Sequence, residues 1–519
     1  MTPEQACHQP PSLCSLLRRL PLLILPFSLL LNLLLLFPPP VTRNTPPGIE
    51  PHRLQLLTWT HDAAAEAEAV AAVNCSGHGR AFLDGLIASD GRSSCECNTC
   101  YRGRDCSLLL PNCAADADSG DPLFLEPYWQ QHAALSAVVV SGWHRMSYRT
   151  NGDNFISLQL ETHLRLLHEA VGNAVTDGKF IVFGSGSTQL FNALIRSLSP
   201  DNDSSSSSLS NVVASAPYYP VSQCVSNPTH ALNDDTSRGD FLTFIYQLLL
   251  CLQMYKAQTD LLDGREFEWE GLTSDWANAS SSPSPSANFI EFVTSPNNPE
   301  GTLKRPVLPG STVIHDHAYY WPHYSAIPAP SDEDIMVFTD SKLSGHASSR
   351  FGWVVIKDKG VYQKLNRYLQ LNSMGVSRDT QLRVLKLVKV IIAKVKKQDD
   401  IFDFGYTTLS ERWSKLNKIL SSSTRFSLQK LPPQYCSYFN KIRDPSPAFG
   451  WVKCEREEDK DCAAVLLKAG IISRTGIIFE AGSRYTRLSL IKTEDDMDLL
   501  LQRFESLVSQ EEPAVLVAS

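Results

Sequence analysis

The sequence has no surplus of positive charge and no composition typical of a fibrous or disordered chain. Lys and Arg total 47 against 55 Asp and Glu, which gives a net charge of −8. A protein that neutralises nucleic-acid phosphates needs a basic surplus, so nucleic acid is not a predicted partner. The 43% hydrophobic and 20% charged content is ordinary for globular proteins, and 519 residues suffice for two or three domains.

Long apolar runs are scarce, and the one candidate lies near the N-terminus. Arg18 and Arg19 precede an uncharged, leucine-rich run of 18 residues, 20–37. This length falls between a signal-peptide core and a membrane span of about 20 residues. No small-residue cleavage site precedes the prolines at 38–40, and the flanking arginines favour a cytosolic N-terminus. We favour a retained signal-anchor, which makes a single-pass membrane protein with its main part in the lumen, over a cleaved signal and a lumenal or vacuolar protein.

Six of the 13 cysteines are concentrated between residues 75 and 113. Cys97 and Cys100 make a single Cys-x-x-Cys pair, which is half of what a zinc site needs. After an export signal, an even number of closely spaced cysteines separated by glycines is typical of a small module held by three disulfides. Many pairings of six cysteines are possible, so the connectivity stays open at this point. We predict no metal site.

Two further features suit the same oxidising compartment. Cys454 and Cys462 are spaced closely enough to close a short loop with a disulfide. Sequons at Asn74, Asn202 and Asn278 are acceptors for glycans in the secretory pathway. Both features agree with export of the chain.

From residue 123 onward the sequence alternates between helical and strand-like segments. Helical patterns are predicted at residues 156–175, 190–197 and 378–397, and short buried strands at 180–183, 289–293, 312–315 and 335–339. This alternation predicts a parallel sheet with ligands bound beyond the carboxyl ends of its strands. Strand-like segments at 470–480 and 487–491 predict a second, smaller α/β domain.

Three segments that follow predicted strands contain residues that together indicate one binding site. Residues 184–189, Gly-Ser-Gly-Ser-Thr-Gln, join a strand to a helix whose free amide groups and dipole favour an anion. Asp316 ends a predicted strand, and Lys342 follows another and precedes Arg350, a residue suited to phosphate. A lysine that forms imines, an aspartate that pairs with a pyridinium nitrogen and a phosphate cradle together indicate a pyridoxal-phosphate site.

These motifs resemble those of fold-type I pyridoxal-phosphate enzymes of the aminotransferase class. The resemblance is carried by Ser-Pro-Asn-Asn-Pro-Glu-Gly at 295–301, the Asp316 and Tyr319 pair, and the block at 341–350. More narrowly, the chain is similar to the plant alliinase and tryptophan aminotransferase-related family in its cysteine spacing and in the segments at 145–148, 373–377 and 482–490.

The narrower resemblance covers roughly residues 74–490 and implies an α/β fold. It implies a fold-type I pyridoxal-phosphate-dependent transferase with a large parallel or mixed-sheet domain, a small C-terminal α/β domain and a disulfide-rich, EGF-like N-terminal module, assembled as a homodimer. With the export segment and linker read from the residues, the predicted division is the signal-anchor or signal peptide (1–43), a linker (44–73), the EGF-like module (74–122), the large cofactor domain (123–375) and the small domain (376–519). The implied disulfides are Cys75–Cys95, Cys97–Cys106, Cys100–Cys113 and Cys454–Cys462.

The resemblance also implies roles for individual residues. Lys342 would be the catalytic residue, which holds the cofactor through an imine and moves the α-proton. Asp316 would pair with the ring nitrogen, and Arg487 would bind the substrate carboxylate with both guanidinium nitrogens. The remaining cofactor contacts would be Asn298 and Tyr319 at the ring 3-oxygen, Tyr219 stacked on the ring, Tyr148 reaching the partner subunit's site, and Ser187, Thr188, Gln189, Thr339 and Arg350 at the phosphate.

One segment departs from the family pattern. About 30 residues, 222–253, separate the Tyr-Tyr-Pro motif at 218–220 from the segment at 254–260, which the family joins almost directly. A loop of this length is unusual in a compact domain, and its apolar stretch at 241–252 is too short to span a bilayer. We favour a retained intron or gene-model error over a genuine lid, and a spliced transcript that lacks the segment would establish the error.

The residues predict an enzyme that acts on L-amino acids. We favour a tryptophan aminotransferase-like activity, which converts L-tryptophan to indole-3-pyruvate in auxin biosynthesis and uses a keto acid as acceptor. The alternative is an alliin-type carbon–sulfur lyase that cleaves S-alkyl-L-cysteine sulfoxides, because the same residues serve both outcomes. A second alternative is an inactive anchored ectodomain that acts as a binding module, which the presence of Lys342, Asp316, Arg350 and Arg487 disfavours.

Overall fold

The computed structural model describes residues 50–148, 155–200, 209–219, 254–260, 266–277, 288–397 and 399–511. The chain divides into two units, residues 1–65 and 66–519, and all elements below lie in the second, except the first part of helix α1 (Glu50–Ala71). The leucine-rich run at 20–37 and the atypical segment at 222–253 lie outside the described residues, so what the sequence predicts for them stays a prediction. Within the described ranges, no helix is long and apolar enough to cross a membrane.

Disulfides and two-residue strands build the Cys-rich module. Its strands are β1 (Gly79–Arg80), β2 (Glu96–Cys97), β3 (Tyr101–Arg102), β4 (Leu108–Leu109) and β5 (Ala115–Asp116). Its disulfides join Cys75 to Cys95, Cys97 to Cys106 and Cys100 to Cys113, and a fourth bond far along the chain joins Cys454 to Cys462, the same pairs that the resemblance implies. The apolar cluster of the module contains four of its six cysteines together with Val73 and Tyr101, so disulfides take the place of a large apolar core.

The module is attached to the rest of its unit by polar contacts and by a short strand pair. His78 stacks on Tyr101 with ring centroids 3.8 Å apart and contacts Asp495 with its Nδ1 at 3.0 Å. Strand β5 pairs in parallel with residues Ile471–Ile472. These contacts hold the end of the module, and the chain that follows it, against the C-terminal part of the protein.

A seven-stranded mixed sheet forms the centre of the larger part of the molecule. Its strands are β6 (Phe180–Gly184), β7 (Ser210–Ala214), β8 (Phe267–Leu272), β9 (Asn288–Thr294), β10 (Thr312–Asp316), β11 (Ile335–Thr339) and β12 (Gly352–Ile356). The spatial order is β6-β12-β11-β10-β9-β7-β8. Strand β12 is antiparallel to both neighbours, and every other pair is parallel.

Both faces of the sheet are covered. On β6, Val182 belongs to one apolar cluster, whereas Ile181 and Phe183 belong to another on the opposite face. This alternation with a period of two, in strands that are apolar throughout, is typical of a sheet with helices on both sides. The helices that follow α1 along the chain, in the central and the C-terminal parts together, are α2 (Glu126–Gln131), α3 (Ala133–Ser136), α4 (Leu158–Val171), α5 (Gly186–Leu198), α6 (Met254–Asp260), α7 (Thr273–Ala277), α8 (Asp340–Leu343), α9 (Lys359–Ser373), α10 (Arg378–Lys394), α11 (Ile401–Ser421), α12 (Cys462–Lys468) and α13 (Glu494–Ser509).

A four-stranded antiparallel sheet lies in the C-terminal part. The remaining strands are β13 (Phe426–Leu428), β14 (Gln434–Cys436), β15 (Lys441–Arg443), β16 (Phe449–Cys454), β17 (Ile471–Ile472), β18 (Arg474–Thr475) and β19 (Tyr485–Ser489), and the four-stranded order is β13-β16-β19-β18. Its register places Arg487 directly opposite Arg474. One apolar cluster contains side chains of this sheet and of the central sheet, so the domain boundary predicted after residue 375 remains a proposal.

Most predicted elements are present, with informative differences. The four predicted strands of the central sheet agree with β6, β9, β10 and β11 to within one residue at each end. Helix α5 begins at Gly186 instead of residue 190 because the glycine-rich segment is itself the first helical turn. The strand predicted at 470–480 is wrong: two short strands, β17 and β18, are followed by a 3-10 turn at Gly476–Phe479.

Candidate active site

A cavity of about 560 Å³ opens at the carboxyl edge of the central sheet. Thr294, Asp316 and Thr339 end the adjacent parallel strands β9, β10 and β11, and all three line it. The predicted site residues that line the cavity are Ser187, Thr188, Tyr219, Asn298, Asp316, Tyr319, Thr339, Lys342, Arg350 and Arg487. Parallel strands therefore bring together residues that are spread over 300 positions of the sequence.

Two predicted site residues do not line this cavity. The side-chain oxygen of Gln189 accepts a hydrogen bond from the amide of Ser185 at 2.7 Å, so its amide group closes the turn before α5 instead of facing the cavity. Tyr148 is 78% exposed. A role of Tyr148 in a partner subunit's site stays a prediction, because the structure contains one chain.

Lys342 is held at the cavity by the short helix α8. The hydroxyl of Thr339 accepts a hydrogen bond from the amide of Ser341 at 3.3 Å and so caps this helix. The Nζ atom of Lys342 donates to the carbonyl of Gly120 and lies 5.5 Å from the centre of the Tyr319 ring. Burial lowers the pKa of Lys342 to about 8, partly opposed by Asp121, so a usable fraction of the amine is neutral near neutral pH.

Asp316 is buried and held by two donors. One carboxylate oxygen accepts from the amide of Ala318 at 3.0 Å, and the other accepts from the hydroxyl of Tyr255 at 2.9 Å. Burial raises the pKa of Asp316, although both hydrogen bonds oppose the rise. Sequence reasoning missed Tyr255, because a tyrosine in α6 has no spacing signal that connects it to a strand end.

An anion cradle forms where α5 begins. Ser187 and Thr188 lie in the first turn of α5, where amide groups lack helical partners and the helix dipole is positive. Arg350 lies directly against Gly186, which has a φ of +78°, and a Cβ at that glycine would lie 2.4 Å from a guanidinium nitrogen. Only glycine therefore permits this approach of Arg350 to the helix terminus.

Arg487 is fully buried and lines the cavity. Its guanidinium donates to the carbonyl of Asp118 at 2.7 Å and to the side-chain oxygen of Asn298 at 3.1 Å, and lies 4.0 Å from the centre of the Phe449 ring. Burial, with the nearby positive charge of Arg474, lowers its pKa to about 9. Within the described part of the chain, its Nε and the Nδ2 of Asn298 are buried without a hydrogen-bond partner.

The chain that leaves the Cys-rich module supplies one wall of the cavity. Ser119, Gly120 and Asp121 line it, together with Arg474 of β18. Arg474 is paired with Asp118, with a guanidinium nitrogen 2.8 Å from a carboxylate oxygen. Sequence reasoning missed this wall because a Ser-Gly-Asp turn carries no chemical signature of its own.

These residues fit pyridoxal phosphate. The α5 terminus with Arg350 suits the phosphate, and the buried carboxylate of Asp316 suits a protonated ring nitrogen, which would hold it ionised. The orphaned amide of Asn298 is a donor that lacks an acceptor, as a ring oxygen would provide. Lys342 offers the amine. The fold and these residues define a fold-type I pyridoxal-phosphate-dependent enzyme.

Comparison with known proteins gives the family. The family described as "Allinase" matches residues 115–244 and 250–508, and the "Alliinase EGF-like domain" matches residues 58–113. The alliin lyase of Allium cepa is 49% identical over 468 residues, 89% of this chain and 90% of its own. Tryptophan aminotransferase-related protein 4 of Arabidopsis thaliana is 48% identical over 458 residues, 88% of this chain and 91% of its own. The chain belongs to the alliinase family, whose members depend on pyridoxal phosphate.

A solved structure supports the fold. The multiple substrate aminotransferase of Thermococcus profundus matches with a TM-score of 0.50 and 14% sequence identity, over 77% of this chain and 91% of its own. At this identity the match concerns the fold alone, which is that of the fold-type I aminotransferases.

Proposed function

We propose that this enzyme is a carbon–sulfur lyase that cleaves S-substituted L-cysteine sulfoxides. The observation that carries the proposal is the composition of the cavity wall formed by Ser119, Gly120, Asp121 and Arg474. This wall is small and polar and has donors for a sulfoxide oxygen, whereas an indole ring gains most from broad apolar contact. The sequence alone placed transamination of tryptophan first, and the polar wall is our reason for proposing the lyase instead.

The residues of the chain divide the work of binding. Ser187, Thr188 and Arg350 would hold the phosphate of the cofactor, Asp316 would hold its ring nitrogen, and Arg487 would hold the carboxylate of the amino acid. The cofactor, when bound, supplies an electron sink for the charge that develops at the α-carbon of the amino acid. Tyr255 fixes Asp316 by donating its hydroxyl hydrogen to the carboxylate, so this tyrosine is a positioning residue.

Lys342 would move the proton that starts the reaction. Its Nζ takes the proton from the α-carbon, and the carbon–sulfur bond then breaks with its electron pair going to sulfur, which leaves as a sulfenic acid. The three-carbon fragment takes up water and gives pyruvate and ammonia. The pKa of about 8 for Lys342 suits a base that works near neutral pH.

Transamination is the second candidate. It is favoured by the 48% identity to tryptophan aminotransferase-related protein 4, which is almost as high as the identity to the alliin lyase. In that reaction Lys342 would give up the proton that it took from the α-carbon, and the cofactor would supply the carrier that passes the amino group to a keto acid. The same Lys342, Asp316 and Arg487 would serve this reaction.

A product assay separates the two candidates. The purified enzyme, loaded with pyridoxal phosphate, is incubated with an S-alkyl-L-cysteine sulfoxide and with L-tryptophan, each with and without a keto acid. Pyruvate released from the sulfoxide without an acceptor would support the lyase. Indole-3-pyruvate formed only when the keto acid is present, with no pyruvate from the sulfoxide, would reject the lyase in favour of the aminotransferase. No product from either substrate would support the inactive binding module.

We further propose that the enzyme is a homodimer. Residues 135–148 present an exposed apolar stretch in which Trp143 is 70%, Met146 83% and Tyr148 78% exposed. Contiguous exposed apolar side chains of this kind are typical of an interface. Light scattering after size-exclusion chromatography should give twice the chain mass, and replacement of Trp143 and Met146 by serine should shift the protein toward the monomer.

We also propose that the protein works in the secretory pathway, in the lumen or the vacuole. The four disulfides support an oxidising compartment. Membrane attachment through residues 20–37 remains a prediction from the sequence, and fractionation of membranes from cells that express the full chain tests it. Protein released by carbonate extraction would reject the anchor.

A further inference from the structure

Two histidines flank Asp316 at the end of β10. Because side chains alternate along a strand, His315 and His317 point away from the side on which Asp316 meets the cavity. Both are buried, with 7% and 2% of their surface exposed. Their ring centres lie 5.7 Å apart. Neither residue lines the cavity, so neither has a task in the site described above.

Glu333, in the loop that leads into β11, meets both histidines. One of its oxygens lies 3.9 Å from Nδ1 of His315, and the other lies 3.5 Å from Nε2 of His317. These distances exceed the 2.7 to 2.9 Å or so of a good charge-assisted hydrogen bond. The three ligand atoms lie within 4.8 Å of one another. The two imidazole nitrogens and the carboxylate of Glu333 therefore lie close together, but no short hydrogen bond joins them.

The neighbouring carboxylates are paired differently. Asp332 contacts the ammonium group of Lys179 at 2.7 Å, and Asp334 contacts that of Lys357 at 3.4 Å. Glu333, between them, faces the two imidazoles instead. The local charge that remains at the histidines is thus negative, which favours a cation.

The tautomer of His317 suits a ligand. Its Nδ1 lies 2.8 Å from the carbonyl oxygen of Ser295, which can only accept. This nitrogen therefore carries a hydrogen, which leaves Nε2 as the ring atom that faces Glu333 and is placed to bind a metal ion. Histidines that bind metals commonly donate their second ring N–H to a carbonyl in this way.

We propose that His315, His317 and Glu333 form a binding site for Zn²⁺ on the side of β10 opposite the cavity. Two imidazoles and one carboxylate suit zinc and not the oxygen-seeking ions Ca²⁺ and Mg²⁺. Ligand bonds of about 2.0 to 2.2 Å fit between these atoms after the donors turn inward. Glu333 has a side chain that is 31% exposed, which leaves a path for the ion and for a water molecule in the fourth position.

Zinc bound at this site would influence the cofactor pocket through Asp316. Zinc would tie the end of β10 to the loop before β11 and so fix Asp316, which lies between the two histidine ligands in the chain. His315, His317 and Glu333 do not line the cavity, so zinc binding by them depends neither on the cofactor nor on the choice between lyase and aminotransferase. The zinc site can therefore be tested independently of the proposed function.

Zinc titration of the tag-free holoenzyme tests the proposal. After dialysis against a chelator, we expect isothermal titration with Zn²⁺ to give one site per chain, and bound zinc to be measured by elemental analysis after gel filtration. Co²⁺ in its place should give the visible absorption of a four- or five-coordinate nitrogen and oxygen site. Failure of the wild-type enzyme to retain zinc would overturn the proposal.

Variants locate the site. Glu333→Gln and His315→Gln should each weaken zinc binding at least about tenfold, whereas Asp334→Asn removes a neighbouring exposed carboxylate and should leave it unchanged. Circular dichroism identifies a variant that fails to fold. Glu333→Gln changes a partly exposed side chain and should disturb folding less than His315→Gln, which changes a buried one. Unchanged zinc binding by folded Glu333→Gln, or equal weakening by Asp334→Asn, would overturn the proposal.

Discussion

The Cys-rich module and the central sheet contribute to the same cavity but are held in shape by different forces. The module has strands of two residues and an apolar cluster made largely of its own cysteines. The sheet buries large side chains on both faces, with Trp353 and Phe338 on one face and Phe292 on the other. Disulfides mainly restrict the unfolded chain, whereas the sheet gains from burial of apolar surface.

This difference is reflected in what each region supplies to the site. The sheet positions Asp316, which ends β10, and Lys342, which lies in the short helix α8 directly after β11, and both must be placed accurately. The C-terminal end of the module provides Ser119, Gly120 and Asp121, which form a wall. We infer that the sheet determines the chemistry and the module influences which substrate is accepted.

The largest effect is expected at the edge of the sheet. Lys342→Ala removes the amine and the base, and turnover should fall by at least about 10³-fold. Borohydride reduction of the wild-type holoenzyme should attach the cofactor to the peptide that contains Lys342, and the variant should show no such attachment. Lys359→Ala, at an exposed lysine of α9, is the control. Near-normal turnover by the Lys342 variant would show that Lys342 is not the catalytic residue.

The pH dependence of cofactor capture follows from the same lysine. Burial lowers the pKa of Lys342 to about 8, so below that pH the amine is mostly protonated and cannot attack a carbonyl. The rate at which apoenzyme captures pyridoxal phosphate should rise about tenfold per pH unit up to pH 8 and then level off. Stopped-flow absorbance measures this rate. A rate that continues to rise toward pH 10 would mean that burial does not lower the pKa of Lys342.

Stability should separate the two regions. Replacement of Cys75 and Cys95 together by serine should cost about 3 kcal/mol, confined to the module. Leu194→Ala, in α5 against the sheet, should lower the global free energy of unfolding by about 2 to 5 kcal/mol. Hydrogen exchange distinguishes the two, because the first change should lose protection only near the module and the second throughout the sheet. The same pattern for both variants would mean that the regions unfold as one.

The smallest effect is expected at the wall. Asp118→Asn weakens the pairing with Arg474 beside Arg487, and KM should rise about tenfold while kcat stays within about twofold. Asp116→Asn removes a carboxylate two residues earlier, which pairs with Lys492 at 2.7 Å, and serves as the matched control. A fall in kcat at constant KM would show that the wall takes part in the chemistry and not only in binding.

The sequence by itself determined much of this protein, because some signals are local. Apolar strands that end in Asp316 and Thr339, and a glycine-rich helix start at Gly186, need only a few adjacent residues to be recognised. Closely spaced cysteines after an export signal are equally local. These signals, with the family motifs, led to the fold, the cofactor and half of the residues that line the cavity.

Only the tertiary structure decided which distant residues meet. Tyr255 reaches Asp316, Arg474 lies opposite Arg487, and the turn at Ser119–Asp121 closes the cavity, although none of these pairs is related by spacing in the sequence. The two histidines beside Asp316 likewise acquire a carboxylate partner only when β11 packs against β10. Such contacts depend on strand order and register, which burial of the whole sheet determines and no short segment encodes.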